Sequence, residues 1–264
     1  PAPTFTGTKV FEDFDLSELA RYIDWTPYFS SWNLAGRFPQ ILDDEIVGEA
    51  ARDLRRDTEN MMQQILGQEW FKPKAVIGFW EAKREGDDIK VETGDTFHTL
   101  RQQMVKDNTR ANFALSDFIA EHGDHLGGFA VTSGPEAEEI AKKFEAEADD
   151  YSAIMVKALA DRFAEAMAEY MHERVRKELW GYAADEALSN DELIKEGYSG
   201  IRPAAGYPCQ PDHTEKETLF RLLEADRIGM ELTTSFAMTP AAAVSGLYLA
   251  HPESAYFAVG RIER

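Results

Sequence analysis

Ala75-Val76-Ile77-Gly78-Phe79-Trp80, then Gly86-Asp87-Asp88, then Ile89-Lys90-Val91-Glu92, reads as an apolar run, a turn and a returning run. β-Branched and aromatic residues bounded by a Gly/Asp turn predict two strands of a hairpin, and hairpin strands are antiparallel. Residues 126–132 predict a further strand. After Ser133-Gly134-Pro135 an acidic helix is expected over 136–148. The tail reads as strands over 232–237, 243–250 and 256–262, with turns at Thr239-Pro240 and His251-Pro252-Glu253-Ser254.

Between these lie helical segments. A short helix opens at Asp15-Leu16-Ser17-Glu18 with Asp15 or Ser17 as N-cap. A helix is predicted over 43–68, with Ile46, Ala50, Leu54 and Met61 near one face. Residues 151–179 carry the strongest periodicity: Tyr151, Ile154, Met155, Ala158, Leu159, Arg162, Phe163, Ala166 and Tyr170 recur at i, i+3, i+4, i+7. Capping boxes are read at Ser189-Asn190-Asp191-Glu192 and Thr214-Glu215-Lys216-Glu217, the second opening a helix that ends near Gly229. This mixed order, without βαβ alternation, predicts an α+β fold: one domain with a twisted, largely antiparallel sheet flanked by helices. Residues 1–14 are expected to be a linker or arm, and 15–264 the domain.

The 264 residues are 44% hydrophobic with 16 Phe, which excludes wholesale disorder. A net charge of −20 repels phosphate backbones, so nucleic acid is not an expected partner, whereas a cationic ligand or basic protein is favoured. The single cysteine, Cys209, excludes an internal disulfide and a cysteine-based zinc site. No run of about 18 apolar residues occurs, so no membrane span is expected. With no signal peptide read at Pro1-Ala2-Pro3, a cytoplasmic location is expected. Without an initiator Met, and ending at Arg264 just after an apolar run, the chain is expected to be a piece of a longer polypeptide.

Nucleotide-binding glycine motifs are absent. His172-Glu173-Arg174-Val175-Arg176 lacks the second His of a zinc-protease helix, and His172 is read as a solvated helix residue. His122 and His125 flank Gly123-Asp124 with no third ligand nearby, so no metal site is expected. The unusual segment spans residues 200–216, from Gly200-Ile201-Arg202-Pro203 through Gly206-Tyr207-Pro208-Cys209 to Pro211-Asp212-His213-Thr214-Glu215-Lys216. Its prolines lower loop entropy, its glycines allow close approach of backbone to a ligand, and Arg202 offers a two-point fork to a carboxylate. The plainer reading is a rigid connector whose Arg meets a surface acid.

This segment resembles the S-adenosylmethionine-binding motif of the activation domain of cobalamin-dependent methionine synthase, R-x-x-x-G-Y-P followed by P-[DE]-H-T-E-K. Further blocks agree in register: Tyr22-Ile23-Asp24-Trp25-Thr26-Pro27, Trp32-Asn33-Leu34-Ala35-Gly36, residues 150–162, and Ser235-Phe236-Ala237-Met238 with Val244-Ser245-Gly246-Leu247-Tyr248. The resemblance runs from about Phe11 to Ile262.

It implies that Arg202 holds the ligand carboxylate and that backbone at Ala204, Gly206 and Tyr207 lines the ligand. Asp24, Glu165 and Tyr256 fall at the other contact positions. No catalytic acid, base or nucleophile is implied, because the task is positioning: the sulfonium methyl is held for reductive methylation of cob(II)alamin to methylcobalamin. Cobalamin is carried by a separate module, and flavodoxin or a related flavoprotein supplies the electron. The alternatives are a non-catalytic module that senses S-adenosylmethionine or docks a flavoprotein, and a stand-alone reactivase acting in trans. Candidate docking residues for the electron donor are Arg174, Arg176 and Lys177, or Lys72 and Lys74.

Overall fold

The computed structural model describes residues 1–104 and 111–260. The hairpin read from residues 75–92 is present as β2 (Lys74–Glu85) and β3 (Asp88–Val91), with Gly86 at φ +64 in the turn. β4 (Thr96–His98), β5 (Asp124–Thr132) and β8 (Ala243–Tyr248) complete the order β4-β3-β2-β5-β8, and every pairing is antiparallel. Within the expected arm, Gly7–Phe11 forms β1, which corrects that reading. It pairs with Ala75–Phe79, along the same edge of β2 whose far end takes β3. A separate ribbon joins β6 (Glu231–Leu232) and β7 (Met238–Thr239).

The helices are α1 (Leu16–Ala20), α2 (Trp25–Ser31), α3 (Gly48–Gly67), α4 (Glu136–Ala146), α5 (Asp150–Arg174), α6 (Asn190–Ile194) and α7 (Glu215–Leu223). Both faces of the sheet are covered, which is why β2 reads as a continuous apolar run. Ala75, Ile77 and Phe79 share one core with Leu159, Phe163 and Met167 of α5. Val76 and Trp80 share the other with Leu219 and Leu223 of α7. The period of two along β2 thus assigns alternate residues to two cores. The α+β reading with an antiparallel sheet is what is observed.

Several boundaries differ from expectation for local reasons. Asp44 accepts the N–H groups of Ile46 and Val47 at 2.8 and 2.9 Å, which holds both outside a helix. α3 therefore starts at Gly48, Ile46 is exposed, and Ala51 rather than Ala50 is buried, while Leu54 and Met61 face the core as expected. Asp15 caps α1 through Ser17 N–H. The Ser189 box forms, but the Thr214 one does not: Asp212 takes the Thr214 N–H instead. α7 ends at Leu223 because Glu224 turns left-handed, and a 3-10 turn follows over Ala225–Ile228. Residues 256–260 are irregular, not a strand. The Phe257 backbone is taken up by Cys209, whose Sγ donates to Phe257 O and accepts from Phe257 N–H, while Val259 N–H donates to Pro208 O. The last expected strand residues, 261 and 262, lie outside the described ones.

Candidate functional site

α5 runs along the sheet, and its final turn widens into a π-helix over Val175–Leu179. Such a turn rotates the residues that follow and often marks a site. Against the α5 face carrying Glu165 and Glu169 sits the Pro/Gly loop that starts at Ile201. Ile201 and Leu249 exchange backbone hydrogen bonds at 3.0 Å, and Leu247 N–H donates to Pro203 O at 2.9 Å. The loop thus extends the sheet past β8 before turning over the cleft. Gly246 is required there, because a Cβ would lie 2.5 Å from Pro203 O.

The turn at 204–210 closes through Gly206 N–H to Gln210 O at 2.7 Å and Tyr207 N–H to Ala204 O at 3.2 Å. Gly206 has φ +95, and a Cβ on it would fall 2.2 Å from the His213 ring. His213 accepts at Nδ1 from Lys216 Nζ at 3.1 Å, and the same ammonium reaches Phe236 O. The second half of the quoted motif is therefore the support beneath the first. Gly206→Ala is expected to strain the turn by about 1–3 kcal/mol and to displace Tyr207. Thermal denaturation and ligand titration of the variant check this; unchanged values in both would mean that the turn tolerates the side chain.

Loop, α2 and α5 enclose a cleft of about 750 Å³. Asp24, Glu165, Arg202, Ala204, Tyr207 and Tyr256 all line it, though they span more than two hundred positions in the chain. Gly206 does not line it; its place is against His213. Asp24 does two things: it caps α2 by accepting Thr26 N–H at 3.0 Å, and it faces the cleft. The Tyr256 hydroxyl accepts Arg202 N–H at 3.0 Å and lies 3.1 Å from that of Tyr198. Burial raises the pKa of both phenols, so they remain protonated donors near neutral pH. Tyr207 is largely exposed, its ring standing at the mouth. Acids predominate in the cleft: Asp24, Glu165, Glu169 and Glu196 against Arg162 and Arg202. Burial pushes the Glu196 carboxyl up, with Arg202 opposing.

Arg202 is not an exposed loop residue. Its Nη2 donates to Glu169 Oε2 at 2.7 Å, and its Nη1 meets His172 Nδ1 at 3.0 Å and the Tyr198 hydroxyl at 3.1 Å. His172, read as solvated, is fully buried between the rings of Tyr248 and Tyr198. Burial, with Arg202 and Arg176 beside it, lowers its pKa well below the usual histidine range, so it is neutral and accepts from Arg202. Arg176, read as a docking residue, is also fully buried; it grips Glu186 and lies 4.3 Å over the Tyr198 ring. The other proposed docking cations are already paired: Arg174 with Glu178, Lys177 with Glu173, Lys72 with Glu69 and Lys74 with Glu12. Neither cluster is an open basic patch.

Glu169, His172 and Arg176 were missed as site residues. Their signal was available: three polar residues at i, i+3, i+7 on a helix otherwise rich in Ala and Met. Which face of α5 meets β8 was not available from spacing alone. Among the described residues no cluster of His, Cys, Asp and Glu is arranged to hold a metal, and no helix is long and apolar enough to cross a membrane.

An α+β domain whose arginine-bearing Pro/Gly loop closes an acidic cleft against a long helix defines a small-ligand-binding module. The sequence matches the family described as vitamin B12 dependent methionine synthase, activation domain, over residues 15–264, and the chain belongs to that family. The fold agrees. A solved structure described as the MetH reactivation domain bound to AdoHcy superposes with a TM-score of 0.94 at 50% sequence identity, covering 99% of this chain and 84% of that one.

Proposed function

We propose that the cleft binds S-adenosylmethionine and holds its methyl group for reductive methylation of cobalamin carried by another module, with a flavoprotein as electron donor and the cytoplasm as the setting. The observation that carries this is the joint placement of Arg202 and the acids in one cleft. A ligand with one carboxylate and two cationic centres needs an anion fork and several acids within a few ångströms. The Nε–H and one Nη2–H of Arg202 have no protein acceptor among the described residues, which leaves donors on the guanidinium for a carboxylate. Asp24 and Glu165 supply negative charge near a sulfonium. Exposed Tyr207 and Tyr256 at the rim offer apolar surface to a flat partner group. S-adenosylmethionine supplies the methyl cation when bound; the chain's own residues orient it and need no general base.

Titration calorimetry tests the reading. Asp24→Asn and Glu165→Gln are expected to weaken S-adenosylmethionine about tenfold, roughly 1–2 kcal/mol, and to weaken the uncharged thioether S-adenosylhomocysteine much less. Equal losses for both ligands would mean that the acids act on the fold and not on the sulfonium. Methyl transfer to supplied cobalamin and reductant separates a reactivation module from one that only senses the ligand.

A further inference from the structure

From the cleft wall inward runs a mostly buried string of charged and polar groups: Glu169 and Arg202 at the cleft, then His172, Tyr198, Arg176 and Glu186. With His172 neutral the two cations and two anions balance. Glu169 has only 9% of its side chain exposed and Arg202 19%. An ion pair this buried contributes little net stability, because desolvation offsets most of the attraction. Its consequence is geometrical. A free arginine in an open cleft samples many rotamers, and fixing it on binding costs side-chain entropy. Here three of the five N–H groups are already committed: one to Glu169, one to His172 and one to Tyr198. Those contacts lie on Nη1 and Nη2, so the Nε–H, with no protein acceptor among the described residues, is left for the cleft.

We propose that Glu169, backed by neutral His172, is a positioning residue: it orients the Arg202 guanidinium before ligand arrives, so that the Nε–H meets the ligand carboxylate without reorganisation. The inference rests on the ligand reading above. Glu169 holds Arg202 from the α5 wall of the cleft: one oxygen is on Arg202, and the other is buried without a protein partner among the described residues. Burial works against the Arg202 charge most strongly, but Glu169 together with Tyr198 and Tyr256 more than offsets it and raises the guanidinium pKa. His172 contributes only as an acceptor. Protonated, it would face Arg202 and Arg176 as a third cation beside Tyr198 and Tyr248.

The test compares S-adenosylhomocysteine with its decarboxylated analogue on the 264-residue chain. Glu169→Gln keeps the shape but removes the charge. It is expected to weaken the carboxylate ligand about tenfold or more and the decarboxylated one less than twofold, so the ratio of the two affinities collapses. Glu178→Gln, an exposed acid near the same helix end, leaves both unchanged. Equal losses for both ligands, or no loss for either, overturn the positioning role. Wild-type protein that binds neither ligand overturns the ligand reading and this inference with it, a result distinct from the others. A second measurement needs no acid variant. In ligand-free wild-type protein the Arg202 Nε–Hε resonance, assigned by its absence in Arg202→Lys, is expected to be resolved and slowly exchanging. It should shift with S-adenosylhomocysteine and not with the decarboxylated analogue. An averaged, rapidly exchanging Arg202 signal would overturn the inference even if Glu169→Gln fails to fold.

Discussion

Arg202→Ala is expected to lose ligand affinity by about 2–4 kcal/mol, roughly 30- to 1,000-fold, and folding stability by about 3 kcal/mol. The first effect follows from removal of the Arg202 fork, whose Nε–H has no protein acceptor among the described residues. From the sequence alone the second is not expected, because a residue in a Pro/Gly loop reads as exposed. The structure reverses that, since the variant strands Glu169 beneath the loop with no cation. The figure sits at the low end for a broken buried pair because part of Arg202 meets solvent. Denaturant unfolding and calorimetry measure the two losses separately. The double variant Arg202→Leu/Glu169→Leu is the decisive companion: it is expected to recover most of the stability and none of the binding. If Arg202→Ala binds as well as wild type, the assignment of the carboxylate site fails.

Glu186→Ala is expected to cost about 3–5 kcal/mol of stability and to lower Tm by roughly 10 °C. Glu186 accepts three hydrogen bonds from Arg176, at 2.6, 2.8 and 3.0 Å. The Arg176 side chain has no exposed surface, so the variant leaves a whole charge inside the protein with only the Tyr198 ring against it. Cation–π attraction of about 2 kcal/mol does not offset that. Arg176→Met combined with Glu186→Leu removes both charges and is expected to restore much of the loss. Scanning calorimetry reads both variants. A Tm within about 2 °C of wild type for Glu186→Ala, on the order of 1 kcal/mol, would show that Arg176 finds water or another acceptor.

The Arg176 finding also changes where an electron donor can dock. Each of the five cations proposed for that surface is tied to a carboxylate: Arg176 is buried on Glu186, and the four other pairs are at or near the surface with their charge locally balanced. Recognition of an acidic partner through these clusters therefore lacks the open positive patch that the sequence led one to expect.

Local pattern determined the hairpin, the long helix and the fold class. A continuous β-branched and aromatic run from Ala75 to Trp80, a Gly/Asp turn and a sustained helical period from Tyr151 each encode an element within one stretch of chain. The arginine loop was legible for the same reason: its residues are contiguous. What the tertiary structure decided are the relations between stretches. Gly7–Phe11 becomes a strand only because the edge of β2 offers it a partner. Residues 256–260 do not pair as a strand: the Phe257 backbone groups are taken by the Cys209 thiol, and those of Val259 by Pro208 and Gln103. Ile46 leaves the core through one aspartate turn that periodicity does not register. Spacing along α5 places Glu169, His172 and Arg176 on one face but says nothing of what that face meets. Only when α5 lies against β8 and the loop does a string of apparently solvated charges become the buried support of Arg202. Burial changes the sign of each reading: in water those charges are nearly free of cost, whereas inside the protein each must have a partner.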